Sequence, residues 1–409
     1  MKYRVRKKEK TLKGEIKLEG SKSITNRVLI IKALCHEDFD VKNYSNSEDS
    51  VTLLELINAQ DQKVLNAKDG GATIRFMLAF LAIHEGEVIL TGSEQLIERP
   101  IGPLVDALTS MGADIQYLGK KNYPPVLIHG KMLKPTRVDI ESDMSSQFVS
   151  ALLLISPILR NGLILKIKGE MVSKPYIEMT LSVMKHFGIS YDWSQNMISI
   201  PRQSYSGKNF NVESDWSSAS YYYEMAAFAD EVDLKITGLN RVSTQGDSLI
   251  AKMMDQFGVT TTFVENGVHL TKRNVKPRIF EYDFTGCPDI APTMLATCAG
   301  LHIPARISGI EHLKIKESNR ISSMQQELLK LGAAFQRHDN TWILSPATSQ
   351  SSQTNVFQTY NDHRMAMCFA SLAMTGQEVI IDDPSVVRKS YPTFWNDLKK
   401  MGFEVEEAG

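Results

Sequence analysis

The chain has little with which to cross a membrane or hold a metal. Its longest apolar run, Ala151 to Leu159, is interrupted by Ser156 and Pro157 and is far shorter than a bilayer span requires. The stretch from Met1 to Lys13 is charged rather than apolar, so nothing in it reads as a secretory leader, and a cytoplasmic protein is expected. Four cysteines, Cys35, Cys287, Cys298 and Cys368, lie far apart without metal-ligand spacing, which predicts reduced, mostly buried thiols; no Cys/His cluster is evident, and neither a metal nor a cofactor is expected. There is no excess of either charge: 46 basic side chains meet 47 acidic ones, so attraction to nucleic acid or to an anionic membrane as a whole-chain property is excluded. A basic site must be local. The Gly-Lys-Ser/Thr of a Walker loop, a Gly-x-Gly-x-x-Gly after a strand and a Gly-x-Ser-x-Gly elbow are also missing.

What is there is repetition. At 409 residues the chain exceeds one ordinary core, and two domains of about 200 residues are the natural division. Small or polar residues followed by a long apolar helix begin near Ser23, Gly71, Ser145, Ser217, Asp289 and Asp362, at intervals of 48, 74, 72, 72 and 73 residues. The helices read Ile24 to Leu34, Thr73 to Ala82, Gln147 to Ile155, Ala219 to Ala229, Ile290 to Ala299 and His363 to Met374, apolar almost all round and so buried on most faces. In most units a second helix ends in a bulky apolar residue and Gly: Met111-Gly112, Phe187-Gly188, Phe257-Gly258, Leu331-Gly332 and Met401-Gly402. Short alternating, strand-like runs follow. The unit is strand, helix, strand, helix and one or two strands. The short first interval marks a truncated repeat, because Leu53 to Ile57 starts a second helix that no apolar-Gly ending follows. Three units per domain would aim six positive helix ends at a common site.

The residues at those starts suit anions. Gly20-Ser21-Lys22-Ser23-Ile24-Thr25-Asn26-Arg27 places two cations and several donors where a loop becomes a helix that Ser23 or Thr25 can cap. Asp69-Gly70-Gly71-Ala72-Thr73-Ile74-Arg75 repeats that logic, its glycines letting the backbone approach a ligand. Ser145-Ser146-Gln147 and Ser173-Lys174-Pro175-Tyr176 offer hydroxyls at two further starts, although hydroxyl caps are commonly structural. Lys316-Glu317-Ser318-Asn319-Arg320 sets two cations against a helix dipole, which is unfavourable unless an anion joins them. Asn361-Asp362-His363-Arg364 carries the same implication, and Arg99 and Lys389 complete the cations. Asp289 and Glu317 stand among them as groups able to transfer protons. The residues by themselves therefore predict a two-domain enzyme for small, highly anionic substrates.

Several separated strings carry a closer likeness: Gly20-Ser21-Lys22-Ser23 with Asn26-Arg27, Glu98-Arg99-Pro100-Ile101, Asn122-Tyr123-Pro124-Pro125, Ser145-Ser146-Gln147-Phe148, Ser173-Lys174-Pro175-Tyr176, Lys316-Glu317-Ser318 and Tyr360-Asn361-Asp362-His363-Arg364-Met365-Ala366-Met367. Nearly end to end, the chain resembles the 5-enolpyruvylshikimate-3-phosphate synthases of the enolpyruvyl transferase family. The resemblance implies an α/β, two-lobed fold of six βαβαββ-type repeats, three per domain with the first truncated, that closes around its substrates. It implies transfer of the enolpyruvyl group of phosphoenolpyruvate to the 5-hydroxyl of shikimate 3-phosphate, releasing phosphate, in chorismate biosynthesis. By matched position, Lys22, Ser23, Arg27, Ser145, Ser146, Gln147, Ser173, Tyr176, Asp289, His312 and Lys316 would contact the phosphoshikimate. Lys22, Gly71, Arg99, Gln147, Arg320, Arg364 and Lys389 would contact phosphoenolpyruvate. Asp289 would be the base and Glu317 the proton donor, with Lys22 sharing in catalysis. Ala72 departs from the Thr usual in the family and His312 from the frequent Asn, and the stretch from Asn58 to Asp69 is short.

One lobe is expected at 21–213 and the other at 1–20 with 214–409, with hinges near Gly20 and Glu213. The partners implied are the two small substrates, with no nucleic acid and no membrane, for a monomer. The alternatives are a UDP-N-acetylglucosamine enolpyruvyltransferase, whose usual loop cysteine has no counterpart if Cys35 lies inside a helix, and a non-catalytic anion-binding relative.

Overall fold

Residues that are apolar on nearly every side form helices with no face to give to water, and six such helices carry the fold. They are α1 (Lys22–Leu34), α2 (Gly71–Ala82), α3 (Ser146–Ile155), α4 (Trp216–Phe228), α5 (Ala291–Gly300) and α6 (His363–Ser371). The computed structural model describes residues 1–59, 61–134, 137–141, 146–169, 174–346 and 355–409, so Ser145 and Ser173 lie outside the described residues. In α2 only Ala72 escapes burial, in α4 only Ser217, and in α3 only Ser146 and Gln147; each exception lies in the first turn. These helices are sealed along their length and open at the N-terminal end. That leaves the turn where backbone N–H groups lack helical partners as the part available for chemistry.

The chain divides into two compact units, Gly20–Val212 and Met1–Glu19 with Glu213–Gly409. In the first unit, strands Val64–Asn66, Gly86–Thr91, Asp114–Tyr117 and Val126–Gly130 form one sheet. The first two strands pair parallel, and the fourth lies antiparallel between the second and the third. A second sheet, Arg137–Glu141, Leu163–Lys168, Asp192–Ser194 and Met197–Ile200, repeats this order. The third contains only Val41–Lys42 and Phe210–Asn211, paired parallel. It is the truncated repeat: α1 and the Glu48–Asn58 helix are present, and no second strand pair follows them among the described residues.

The other unit holds three complete sheets in the same order. Thr11–Lys17 pairs parallel with Glu231–Thr237, Phe280–Asp283 with Ala305–Ser308 and Asn355–Phe357 with Val379–Ile381. In the last sheet the fourth position is filled from the far end of the sequence, by Lys2–Arg6 between Val379–Ile381 and Glu404–Ala408. All five glycines predicted to end second helices, Gly112, Gly188, Gly258, Gly332 and Gly402, have positive φ, where a side chain would be strained.

Two local readings are corrected. Helix α1 begins at Lys22 with Ser21 at the N-cap, so Ser23 and Thr25 lie inside it. The Thr25 hydroxyl accepts from the Ser45 amide at 3.0 Å instead of capping. Cys35 follows α1 rather than sitting within it, and its thiol donates to the Tyr205 carbonyl. All four thiols are free. No helix among the described residues is long and apolar enough to cross a membrane.

Glu224 breaks the apolar pattern of α4. It is fully buried, and among the described residues neither carboxyl oxygen meets a well-placed donor, since the neighbouring Ser371 hydroxyl donates to the Met367 carbonyl. Burial pushes this carboxyl well above its ordinary 4.5, offset in part by Ser371. The folded chain therefore keeps a proton that the unfolded chain releases above about pH 4.5, and stability is lost as pH rises through that window, by at most about 1.4 kcal/mol per pH unit. Glu224→Gln is expected to become increasingly more stable than the parent from pH 5 to pH 8 in urea titrations. Parallel stability curves would show that the carboxyl is ionised in the fold.

Candidate active site

In the unit containing the N-terminus, a single guanidinium organises the charges. Arg320 opens the Arg320–Lys330 helix, whose N-cap Asn319 accepts from the Ser322 amide at 3.2 Å. The Arg320 side chain is 1% exposed. Its Nε donates to Asp362 Oδ2 at 2.7 Å, its Nη1 to Asp289 Oδ1 at 3.0 Å, and its Nη2 to Glu317 Oε2 at 2.6 Å and Asp362 Oδ1 at 3.3 Å. Four of its five N–H bonds thus end on carboxylates. The cation that the helix dipole disfavours is compensated from inside the protein, so its position does not by itself call for a ligand.

Further cations stand around those carboxylates. Lys316 Nζ lies 3.6 Å from Asp289 Oδ1, Arg364 Nη2 3.1 Å from Asp289 Oδ2, and Lys389 Nζ 3.9 Å from Glu317 Oε1. Among these named groups four cations meet three carboxylates in a poorly solvated place, and a fourth carboxylate, Asp247, reaches Arg364 through the Ser217 hydroxyl. Burial raises the Asp289 carboxyl, yet Arg364, Lys316 and Arg320 together hold it well below the usual carboxylate range. Burial lowers the ammonium of Lys316, which Asp289 partly restores. His312 sits in the Glu311–Ile315 turn, where burial and then Lys316 draw it down to about 4, so it is a neutral imidazole at pH 7. Its Nε2 is buried without a hydrogen-bond partner among the described residues.

Asp362 reaches Arg320 because of its backbone. It caps α6, accepting from the Arg364 amide at 3.0 Å, after two consecutive residues of positive φ, Tyr360 and Asn361, both +54°. Such a conformation costs about 1–3 kcal/mol per non-glycine residue and persists only where neighbours enforce it. Here the enforcing group is Glu327, fully buried, which accepts from the Tyr360 hydroxyl at 2.7 Å, the Gln358 amide at 3.0 Å and Lys330 Nζ at 2.6 Å.

The Gly20–Val212 unit holds a second group of predicted residues. Lys22 begins α1, and its Nζ lies 3.0 Å from Asp49 Oδ2. Arg27 is buried and donates to Thr180 Oγ1, the Ser23 carbonyl, Ser150 Oγ and the Tyr176 carbonyl at 2.7, 2.7, 3.0 and 3.3 Å. It thereby ties α1 to α3 and to the Lys174–His186 helix. Burial draws it down to about 10, still a cation at neutral pH. Gln147, beside Ser146 in the first turn of α3, accepts from Arg75 Nη1 at 2.9 Å. The same nitrogen donates to the Gly71 carbonyl at 2.7 Å, and Arg75 Nη2 to the Pro100 carbonyl at 3.2 Å. Gly71 admits this crowding because it has no side chain: a Cβ there would stand 2.6 Å from Arg99 Nη1 and 2.9 Å from Arg75 Nη1.

Each predicted residue among those described thus falls into one of two groups, one in each unit. Asp49, Arg75 as the holder of Gln147, and Asp362 as the partner of Arg320 are the additions. The sequence signal for Asp362 was present in the charged run before α6. Asp49 gave none beyond an acidic first helical turn. Among the described residues no cluster of His, Cys, Asp and Glu is arranged to hold a metal ion.

Comparison with known proteins bears on this arrangement. The family profile described as EPSP synthase (3-phosphoshikimate 1-carboxyvinyltransferase) matches residues 6–60 and 55–398. A 3-phosphoshikimate 1-carboxyvinyltransferase of Bacteroides fragilis is 41% identical over 399 residues, 97% of each chain. One of Histophilus somni is 35% identical over 419 residues, covering 95% of this chain and 96% of the relative. A solved EPSP synthase from Acinetobacter baumannii has the same fold, with a TM-score of 0.78 at 22% identity over 99% of this chain and all of the other.

Asp362→Ala removes the carboxylate that Arg320 engages through two nitrogens and leaves a buried cation underpaired. The expected loss is about 3–5 kcal/mol of unfolding free energy, read by urea denaturation. A loss below about 1 kcal/mol would show that Arg320 does not depend on Asp362.

Proposed function

The chain belongs to the EPSP synthase family, and from that premise we propose how its residues carry out the family's reaction. The chain is a transferase that moves the carboxyvinyl group of phosphoenolpyruvate to the 5-hydroxyl of 3-phosphoshikimate and releases phosphate, a step of the shikimate route to chorismate. The observation that carries this reading is the 41% identity to a 3-phosphoshikimate 1-carboxyvinyltransferase across 97% of both chains, joined to a charged cluster suited to anions. Neither the UDP-N-acetylglucosamine reading nor a non-catalytic role is favoured by any of this.

In the reading proposed here, Lys22, Ser23, Arg27, Ser145, Ser146, Gln147, Ser173 and Tyr176 serve the phosphoshikimate, with Asp289, His312 and Lys316 serving its ring hydroxyls. Lys22, Gly71, Arg99, Gln147, Arg320, Arg364 and Lys389 serve phosphoenolpyruvate. Arg27 and Arg320 spend most of their donors on the protein, so their part is chiefly to fix neighbours. Arg364, Lys316 and Lys389 make longer or fewer ion pairs and are better able to turn to a ligand.

The addition needs two proton movements, and the elimination must undo them. The 5-hydroxyl oxygen bonds to C2 of phosphoenolpyruvate as Asp289 takes the hydroxyl proton, while Glu317 delivers a proton to the methylene carbon. In the elimination Glu317, now ionised, takes a proton back from the new methyl group, the double bond re-forms, and the C–O bond to phosphate breaks, with the proton held on Asp289 passing to the departing phosphate. Free of ligand, Asp289 is a poor base because Arg364 and Lys316 hold it down. Anionic substrates that share those cations raise its basicity, so binding itself prepares the base. Neutral His312 adds hydrogen bonding without another charge.

Phosphate release from phosphoenolpyruvate, with 3-phosphoshikimate or UDP-N-acetylglucosamine as acceptor, tests the assignment. Release with 3-phosphoshikimate alone is expected, and Glu317→Gln should lower that turnover by about two orders of magnitude or more in a protein that circular dichroism shows to be folded at the assay temperature. Release only with the nucleotide sugar would reject the acceptor. Near-normal turnover of the variant would remove Glu317 from the proton transfers.

A further inference from the structure

The turn Gly246–Leu249 carries a carboxylate absent from the roles above, and its surroundings connect it to one of them. Asp247 is 4% exposed. Its Oδ2 accepts from the Ser217 hydroxyl, while its Oδ1 is buried without a partner among the described residues. Ser217 is the one residue of α4 that is not buried. Its hydroxyl accepts in turn from Arg364 Nη2 at 3.3 Å, the same nitrogen that lies 3.1 Å from Asp289 Oδ2. A hydroxyl has a single hydrogen to give. Committed to Asp247, it must present lone pairs to Arg364.

The turn itself is anchored. Gln245 donates from Nε2 to Glu213 Oε2 and to the Ser214 carbonyl, both at 2.9 Å, and accepts from the Trp216 amide at 3.0 Å. Glu213 is held further by Trp216 Nε1 at 2.8 Å, the Asn240 amide at 3.0 Å and Ser243 Oγ at 2.7 Å. The start of α4 and the turn bearing Asp247 are therefore fastened by one glutamine. The charged or titratable groups around Asp247 are Arg364, Asp289, Asp215 and Cys287.

We propose that Asp247 is a positioning residue: by fixing the Ser217 hydroxyl it gives the Arg364 guanidinium a second acceptor beside Asp289 and so sets how strongly Arg364 takes phosphoenolpyruvate. Without that acceptor, Arg364 settles wholly on Asp289, and an incoming anion must break a tighter ion pair. Burial pushes the Asp247 carboxyl up to about 6 against the pull of Arg364, so at pH 7 it is mostly ionised and accepts the Ser217 hydroxyl as a carboxylate. The inference rests on the assignment of phosphoenolpyruvate to Arg364.

Steady-state kinetics of Asp247→Ala, Ser217→Ala, the double variant and Asp247→Asn, with Arg364→Ala as reference, test it. Either alanine variant is expected to raise KM for phosphoenolpyruvate by about tenfold with kcat and the KM for 3-phosphoshikimate within about twofold. The double variant should add no more than about twofold to the larger single effect, because both changes break one chain of bonds. Asp247→Asn should recover most of the affinity, since its amide oxygen accepts the same hydroxyl. An unchanged KM in Ser217→Ala, or effects that multiply in the double variant, would overturn the proposal even if Asp247→Ala failed to fold. If Arg364→Ala leaves that KM unchanged, the assignment of Arg364 falls and the inference with it. If Arg364→Ala raises it while Asp247→Ala does not, the inference alone falls.

Discussion

The contact of Arg320 with three carboxylates is the constraint on which the chemistry of its unit depends. A guanidinium this deeply buried is tolerated because Asp362, Asp289 and Glu317 surround it, and in turn it offsets their charge together with Lys316, Arg364 and Lys389. Two of them, Asp289 and Glu317, are the proposed proton carriers. Their separation and direction are fixed by a group that does not itself exchange protons, since Arg320 is held above its already high ordinary value by Asp362, Glu317 and Asp289 in spite of its burial. In the proposed mechanism such a scaffold holds acid and base in fixed directions and leaves the outer cations, Lys316, Arg364 and Lys389, to meet anions.

That scaffold needs an unusual stretch of backbone. Tyr360 and Asn361 take left-handed conformations so that Asp362 can cap α6 and still reach Arg320, and buried Glu327 holds the distorted run from the adjoining helix. Ordinary capping of α6 needs no such path, whereas delivering one carboxylate both to a helix end and to Arg320 does. In the other unit Arg27 has the corresponding part with neutral partners, joining three helices through hydroxyls and carbonyls, and Arg75 does the same for Gln147, Gly71 and Pro100.

Much of the fold was legible because it repeats. Helices apolar on every side, starting at near-constant intervals and followed by Gly at a left-handed position, are local signals, and the glycines at 112, 188, 258, 332 and 402 all proved to have positive φ. The truncated first repeat was legible too, as an interval too short for a second strand pair. Long-range pairing left no local trace: nothing near Lys2–Arg6 says that it completes a sheet with Glu404–Ala408. The site was legible as residue types at helix starts and less so as partnerships. Lys316 and Arg320 read as cations awaiting a ligand, yet protein carboxylates already hold them; Asp49 and Asp247 gave no signal because their partners, Lys22 and Ser217, are 27 and 30 residues away.

In the proposed mechanism anions compete with carboxylates for the outer cations while the contacts of Arg320 with Asp362 and Glu317 stay intact. A crystal structure with 3-phosphoshikimate and phosphoenolpyruvate, or an unreactive analogue of the latter, measures this directly. Arg364 Nη2 should move from its 3.1 Å contact with Asp289 onto the ligand, and Arg320 should keep its bonds to Asp362 and Glu317. A ligand bound with the Arg364 to Asp289 pair unbroken, or with Arg320 turned away from its carboxylates, would contradict it.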